Sequence, residues 1–311
     1  NAMFSGVWSD SGLVGLTVNN GRLQVSQRSI GAWSGITLTA DQGILLADSS
    51  VAILSGGTGS VTLTGGGNST GLITSRSGIE AYNSSISGQG PVSLTGIGAT
   101  ATDSNNLGIV LAGTSVYGAA SVTLNGTGGG IANSTVGTQN AGVMLTGTAQ
   151  KDVETSTYYH TYTTINGPAI TVAGRGGTGS GNNPGIVLDG RFYEGPNNPH
   201  VVDEYAGAAL FGYNMVGNST VSLTGTGGGF TGTYVTPADY TSPDVALLYG
   251  AGVNAVGGPV GSSGTVLLSS GVGSAAPFAV LQDQVPEGST RLPSIVQTNH
   301  LTIDANGSVL L

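Results

Sequence analysis

The chain has 311 residues, 56 of them Gly and none Cys, with 7% charged residues and a formal net charge of −9. An acidic balance with one Lys and six Arg argues against nucleic acid or an anionic membrane surface as partner. The apolar share of 38% and mean hydropathy of +0.17 argue against a disordered linker, and no run of about 18 apolar residues offers a membrane-spanning helix.

In chain order, Asn1-Ala2-Met3 reads as a cloning-tag remnant. Residues 4–55 then alternate apolar and polar positions in short runs at 15–18, 22–25, 35–39, 43–46 and 50–53. Alternation of this kind is the mark of a strand with one buried face. Asn19-Asn20-Gly21 is a turn signal. Trp8 and Trp33 are both here and are expected to cover the open core at one end of the fold.

Residues 56–148 hold the cleanest repeats. Ser-Val-Thr-Leu-Thr-Gly-Gly-Gly at 60–67 returns as Pro-Val-Ser-Leu-Thr-Gly-Ile-Gly at 91–98 and Ser-Val-Thr-Leu-Asn-Gly-Thr-Gly-Gly-Gly at 121–130. Val61, Val92 and Val122 thus recur at steps of 31 and 30 residues. A second strand is expected in each unit at Gly71-Leu72-Ile73, Gly108-Ile109-Val110-Leu111, Gly142-Val143-Met144-Leu145 and Gly185-Ile186-Val187-Leu188. A third falls in some units, as at 77–81 and 85–87.

Residues 149–281 continue the repeats at 169–177, 220–229 and 264–271, now with insertions at about 150–167, 191–215 and 230–243. The first insertion carries Lys151, Asp152, Glu154, Tyr158, Tyr159, His160 and Tyr162. The second carries Phe192, Tyr193, Glu194, His200, Asp203, Glu204 and Tyr205, and the third Tyr234 and Tyr240. Insertions in a repeat array tend to map to one face and often bind. In 282–311 the pattern resumes irregularly, with terminal strands at 301–303 and 308–310 and an Asn306-Gly307 turn between them.

A strand this short cannot bury its apolar face alone, but stacked copies can. The expected fold is therefore all-β: one solenoid domain over 4–311, a parallel β-helix with loop or hairpin insertions. Gly and Asn suit its corners because they tolerate positive φ. A doubly wound α/β sheet is set aside, since it needs helices of about 10–15 residues between strands. Almost no window has 3.6-residue periodicity, and Gly is too dense for helices.

The run Gly35-Ile36-Thr37-Leu38-Thr39-Ala40-Asp41-Gln42-Gly43-Ile44-Leu45-Leu46 and the Ser-Val-Thr-Leu-Thr-Gly copies resemble the repeats of filamentous-haemagglutinin-like adhesins and autotransporter passenger domains. The resemblance covers most of 12–148 and returns at 168–190, 220–229 and 252–281. It implies a right-handed parallel β-helix, export across a Gram-negative envelope through an outer-membrane translocator, and a place in adhesion or biofilm on the cell surface or in the secreted fraction. The family's secretion signal and translocator barrel are not in this chain, which leaves the export route open.

No nucleotide-binding glycine loop opens a helix, and the Ca²⁺-binding Gly-Gly-x-Gly-x-Asp repeat is absent. His160, His200 and His300 are far apart in sequence, so neither metal nor cofactor is expected. Asn68, Asn133 and Asn218 open glycosylation sequons that also serve as turn chemistry. Tyr158, Tyr159, Tyr162, Phe192, Tyr193 and Tyr205 are the candidate ligand-binding residues, since aromatic faces stack on sugar rings and nearby carboxylates accept from sugar hydroxyls. The expected function is a non-catalytic adhesin segment that binds a host or neighbour-cell glycan or matrix protein. One alternative is a polysaccharide lyase or glycosidase. It needs two carboxylates on one face, drawn from Asp152, Glu154, Glu194, Asp203 and Glu204. The other is a passive spacer.

Overall fold

The computed structural model describes residues 6–10, 12–54, 57–67, 76–101, 105–131, 140–151, 158–179, 183–193, 208–213, 217–228, 245–248, 252–256, 263–272, 278–282 and 295–310. They form a parallel β-helix with three walls. The first sheet stacks β3 (Leu23–Ser26), β6 (Ile44–Ala47), β9 (Ile79–Tyr82), β12 (Ile109–Ala112), β15 (Val143–Lys151), β19 (Ile186–Tyr193), β22 (Val245–Leu248), β25 (Phe278–Gln282) and β28 (Ser308–Leu310). The second stacks β1 (Val7–Ser9), β4 (Ser29–Ala32), β7 (Ser50–Ile53), β10 (Ser85–Gly88), β13 (Ser115–Gly118), β17 (Thr163–Gly167), β20 (Ala208–Tyr213), β23 (Gly252–Val256) and β26 (Ile295–Gln297). The third stacks β2 (Leu13–Val18), β5 (Gly35–Ala40), β8 (Ser60–Gly65), β11 (Pro91–Ile97), β14 (Ser121–Thr127), β18 (Ala169–Arg175), β21 (Ser219–Thr226), β24 (Gly264–Ser270) and β27 (His300–Asp304). One more strand, β16 (Tyr158–Thr161), pairs antiparallel with β15.

The chain visits the three walls in turn, one strand each per coil, and every pairing between coils is parallel. The repeats explain this directly. Val61, Val92 and Val122 stand in register, as do Leu63, Leu94 and Leu124, and all six are fully buried. Thr62, Ser93 and Thr123 fall between them and point outward. Inward columns from the first sheet (Ile79, Ile109, Val143, Ile186) and the second (Ile86, Val116, Ile165, Leu210) complete one continuous core.

The Gly that ends each repeat has a steric cause. A Cβ on Gly96 would run into the carbonyl oxygen of Gly108, and one on Gly126 into that of Gly142. At this inward position the third wall meets the first, leaving no room for a side chain.

Three sequence expectations need correction. The strand paired with Ile109–Ala112 is Ile79–Tyr82, so Ile79, and not Leu72, is the partner of Ile109. Gly71-Leu72-Ile73 lies outside the described residues. Trp8 does not cover the open core. It projects outward from β1, is 61% exposed, and lays its ring against Gly31. Trp33, 42% exposed, does not close the core either. Finally, 163–167 and 208–213 fall inside segments read as insertions, yet they form β17 and β20, regular strands of the second wall. The segment that leaves the coil at the first of these sites is the β15–β16 hairpin.

Candidate functional site

The corner between the first and second walls is built the same way in successive coils. Gln27, Asp48, Asn83 and Gly113 occupy it with φ of 53, 49, 46 and 60°. This left-handed turn swings the chain from one wall to the next. The next residue in the later coils is a buried hydroxyl: Ser49, Ser84, Thr114 and, after Tyr162, Thr163. Ser49 Oγ donates to Ala47 O at 2.7 Å, and Ser84 Oγ to Tyr82 O at 2.7 Å. Each coil also ties to the next: Ser84 Oγ accepts from Ser49 N at 3.2 Å, and Thr163 Oγ1 from Thr114 N at 3.1 Å. The ladder fixes the corner, and the residues outside it become a rigid polar surface.

A shallow cleft of about 540 Å³ opens there. Arg28, Asp48, Asn83, Ser115, Thr161 and Tyr162 are among its lining residues. Tyr162 is 49% exposed and lies at one end, where the hairpin returns to the coil. Thr148 of β15 donates its hydroxyl to Asn83 Oδ1, tying the hairpin to the corner two coils earlier. Arg28 Nη1 donates to Gln27 O at 3.2 Å at the other end. The cleft's described lining thus presents one ring, one cation, one carboxylate and several hydroxyl and amide groups. That set can stack a sugar ring and exchange hydrogen bonds with its hydroxyls.

Of the aromatic candidates, Tyr162 is in the cleft. Tyr158 and Tyr159 are on β16, opposite Lys151 and Gln150 of β15. Phe192 and Tyr193 end β19, opposite Gly147 and Thr148 on the other edge of β15. The fold therefore brings the first and second aromatic segments into one three-stranded extension, β16–β15–β19, centred on Thr148. Tyr205, Asp152, Glu154, Glu194, Asp203 and Glu204 lie outside the described residues.

The sequence reading missed Arg28, Asp48 and Asn83. A signal was available: a turn-prone residue followed by Ser or Thr recurs as Asp48-Ser49, Asn83-Ser84 and Gly113-Thr114. It also missed a second internal ladder. Asn140 Oδ1 accepts from Asn106 N at 2.9 Å and Nδ2 at 3.1 Å, and Asn183 Oδ1 accepts from Asn140 N at 3.1 Å. All three are fully buried, and each opens an Asn-x-Gly triplet before a first-wall strand.

The other outer faces differ in character. On the first wall Val110, Val187 and Ala246 are themselves buried, together with Leu107 and Ala141. Glu80 occupies the same outward row, 4% exposed, and receives Arg22 Nη2 at 2.7 Å. Burial pushes its carboxyl above the usual range, against the opposing pull of Arg22 and of hydrogen bonds from Ser77. Among the described residues, no three of His, Cys, Asp and Glu gather into a group that could hold a metal ion, and no helix is long and apolar enough to cross a membrane. No protein-family model matched the chain, nor did any curated protein or solved structure.

Proposed function

We propose that this chain is a non-catalytic, glycan-binding segment of a secreted or surface-anchored bacterial adhesin, exported through an outer-membrane translocator. The observation that carries the reading is the exposed Tyr162 ring at one end of an open cleft lined by hydroxyl and amide side chains, with Asp48 along it and Arg28 at the other end. The β-helix supplies reach, because each coil adds a strand spacing of about 4.8 Å to the length of the wall. It also supplies rigidity, since the corner ladder holds the lining residues in fixed register. The repeat resemblance supports the cellular setting.

Among the cleft's described lining residues Asp48 is the single carboxylate, and glycosidic hydrolysis calls on two. That favours binding at this cleft, and its concave, chemically mixed lining favours binding over a passive spacer.

The test is an array of glycans and extracellular-matrix proteins probed with the folded chain, alongside Tyr162→Ala and Arg28→Ala. Saturable binding to a glycan class, lost in Tyr162→Ala, is the expected result. A blank array from folded protein would leave the spacer reading standing.

A further inference from the structure

The second wall carries a row of outward residues that no sequence signal separated from the core. Its register runs Ser87, Tyr117, Asn166, Phe211, Asn254 across β10, β13, β17, β20 and β23. Tyr117 is 43% exposed and Phe211 40% exposed, while Val116 and Leu210 beside them are fully buried. The two rings are therefore side chains of the outer surface and not of the core. They sit two strands apart, a separation of about 9–10 Å along the helix axis. Asn166 stands between them and Asn254 follows.

The nine strands of this wall contain no Asp, Glu, Lys, Arg or His. In a chain with net charge −9 this is a neutral surface. Rings and amides alternate along it. A ring face takes the C–H face of a sugar, and an amide both donates to and accepts from sugar hydroxyls. A charged ligand would find no counter-charge here, and a compact one would span only one ring. The row is also continuous with the cleft, since Ser115 of β13 lines the cleft and Tyr117 is two residues further along the same face.

We propose that this row binds an uncharged polysaccharide lying parallel to the helix axis, with Tyr117 and Phe211 stacking on sugar rings and Asn166 and Asn254 bonding to hydroxyls between and beyond them. The proposal rests on the glycan-binding reading and extends it from a single cleft to a linear, neutral track.

The experiment measures affinity of the full chain for three soluble polymers: hydroxyethyl cellulose, mannan and, as the acidic comparator, polygalacturonate. The variants are Tyr117→Ala/Phe211→Ala, Tyr117→Trp/Phe211→Trp and Tyr162→Ala. The side chains at 117 and 211 point outward, so circular dichroism of the double variants should match the parent. The expected result is binding to a neutral polymer that falls about tenfold in the Ala pair and is retained in the Trp pair. A preference for polygalacturonate, or equal binding by the Ala pair and the parent, overturns the track. Loss in Tyr162→Ala with no loss in the Ala pair overturns it while leaving the cleft intact. Loss in the Ala pair alone supports the track and removes the cleft. Failure of all three polymers to bind overturns the track, and the glycan array then decides whether the cleft reading survives.

Discussion

Arg22 Nη2 and Glu80 Oε2 meet at 2.7 Å although their residues are 58 apart in sequence. Arg22 precedes β3, and Glu80 lies on β9, so the pair spans β6 on the outer surface of the first wall. Both side chains are nearly shielded from water, at 8% and 5% exposure. A buried pair of this kind is costly to form and costlier to break from one side.

Glu80→Ala should therefore destabilise the chain by about 3–5 kcal/mol, because it strands the Arg22 charge. Replacing both, as Arg22→Met/Glu80→Leu, should recover most of the loss. Urea unfolding of the three proteins checks this, and a double variant as weak as the single one would contradict it.

Glu80 also gives a pH signature. Its ordinary pKa is 4.5, and burial raises it in the folded chain. Between those two values the folded state holds the proton more tightly than the unfolded state. The stability from this protonation is fully present below the unfolded value and is lost as pH rises through the folded one. Glu80→Gln lacks the titration. The melting temperature of the parent minus that of Glu80→Gln should therefore rise as pH falls from neutral toward 4.5. A difference that falls instead would place the folded pKa below the ordinary value.

Glycines at the wall junction and on the open surface should respond in opposite ways. A Cβ at Gly126 meets the backbone of Gly142, whereas at Gly15 nothing lies within 4 Å. Gly126→Ala should cost more than about 2 kcal/mol through backbone displacement. Gly15→Ala should be neutral or stabilising by up to about 1 kcal/mol. Equal responses in denaturant titrations would mean that the junction is not as tight as the geometry requires.

Asn140→Ala removes the acceptor for Asn106 N and the donor to Thr178 O. Leaving buried partners unsatisfied costs about 1–3 kcal/mol each. Hydrogen exchange should show the Asn106 amide losing protection in this variant. Unchanged protection would mean that the asparagines only fill space.

The third wall was legible because its strands are long. Val61 and Leu63 give two inward positions with polar neighbours, enough to read the alternation and the period. The second wall was legible only at 50–53 and 85–87, which form β7 and β10. Ser29-Ile30-Gly31-Ala32 and Thr163-Thr164-Ile165-Asn166-Gly167 each carry one inward aliphatic of any size, so no period can be seen within them. For the same reason the residues of β17 and β20 carry no strand signal of their own. Reading Gly71-Leu72-Ile73 as the counterpart of Gly108-Ile109-Val110-Leu111 has a related cause: both runs follow a Gly, and a Gly-aliphatic pair does not fix register without the coil that stacks against it. The cleft depends on residues from five coils meeting at one corner. Tyr162 stands out by its local aromatic surroundings, whereas Asp48 and Asn83 are marked only by the turn residue before Ser that recurs from coil to coil, and Arg28 by nothing local.

A sugar held against Tyr162 in the corner cleft is what the proposed function requires. The most direct measurement is a crystal structure of the chain soaked with the best glycan from the array. The expected result is density for a sugar ring stacked on Tyr162, with its hydroxyls in reach of Asp48 and Asn83. Density for the bound glycan elsewhere on the solenoid, with the cleft filled only by water, would contradict it.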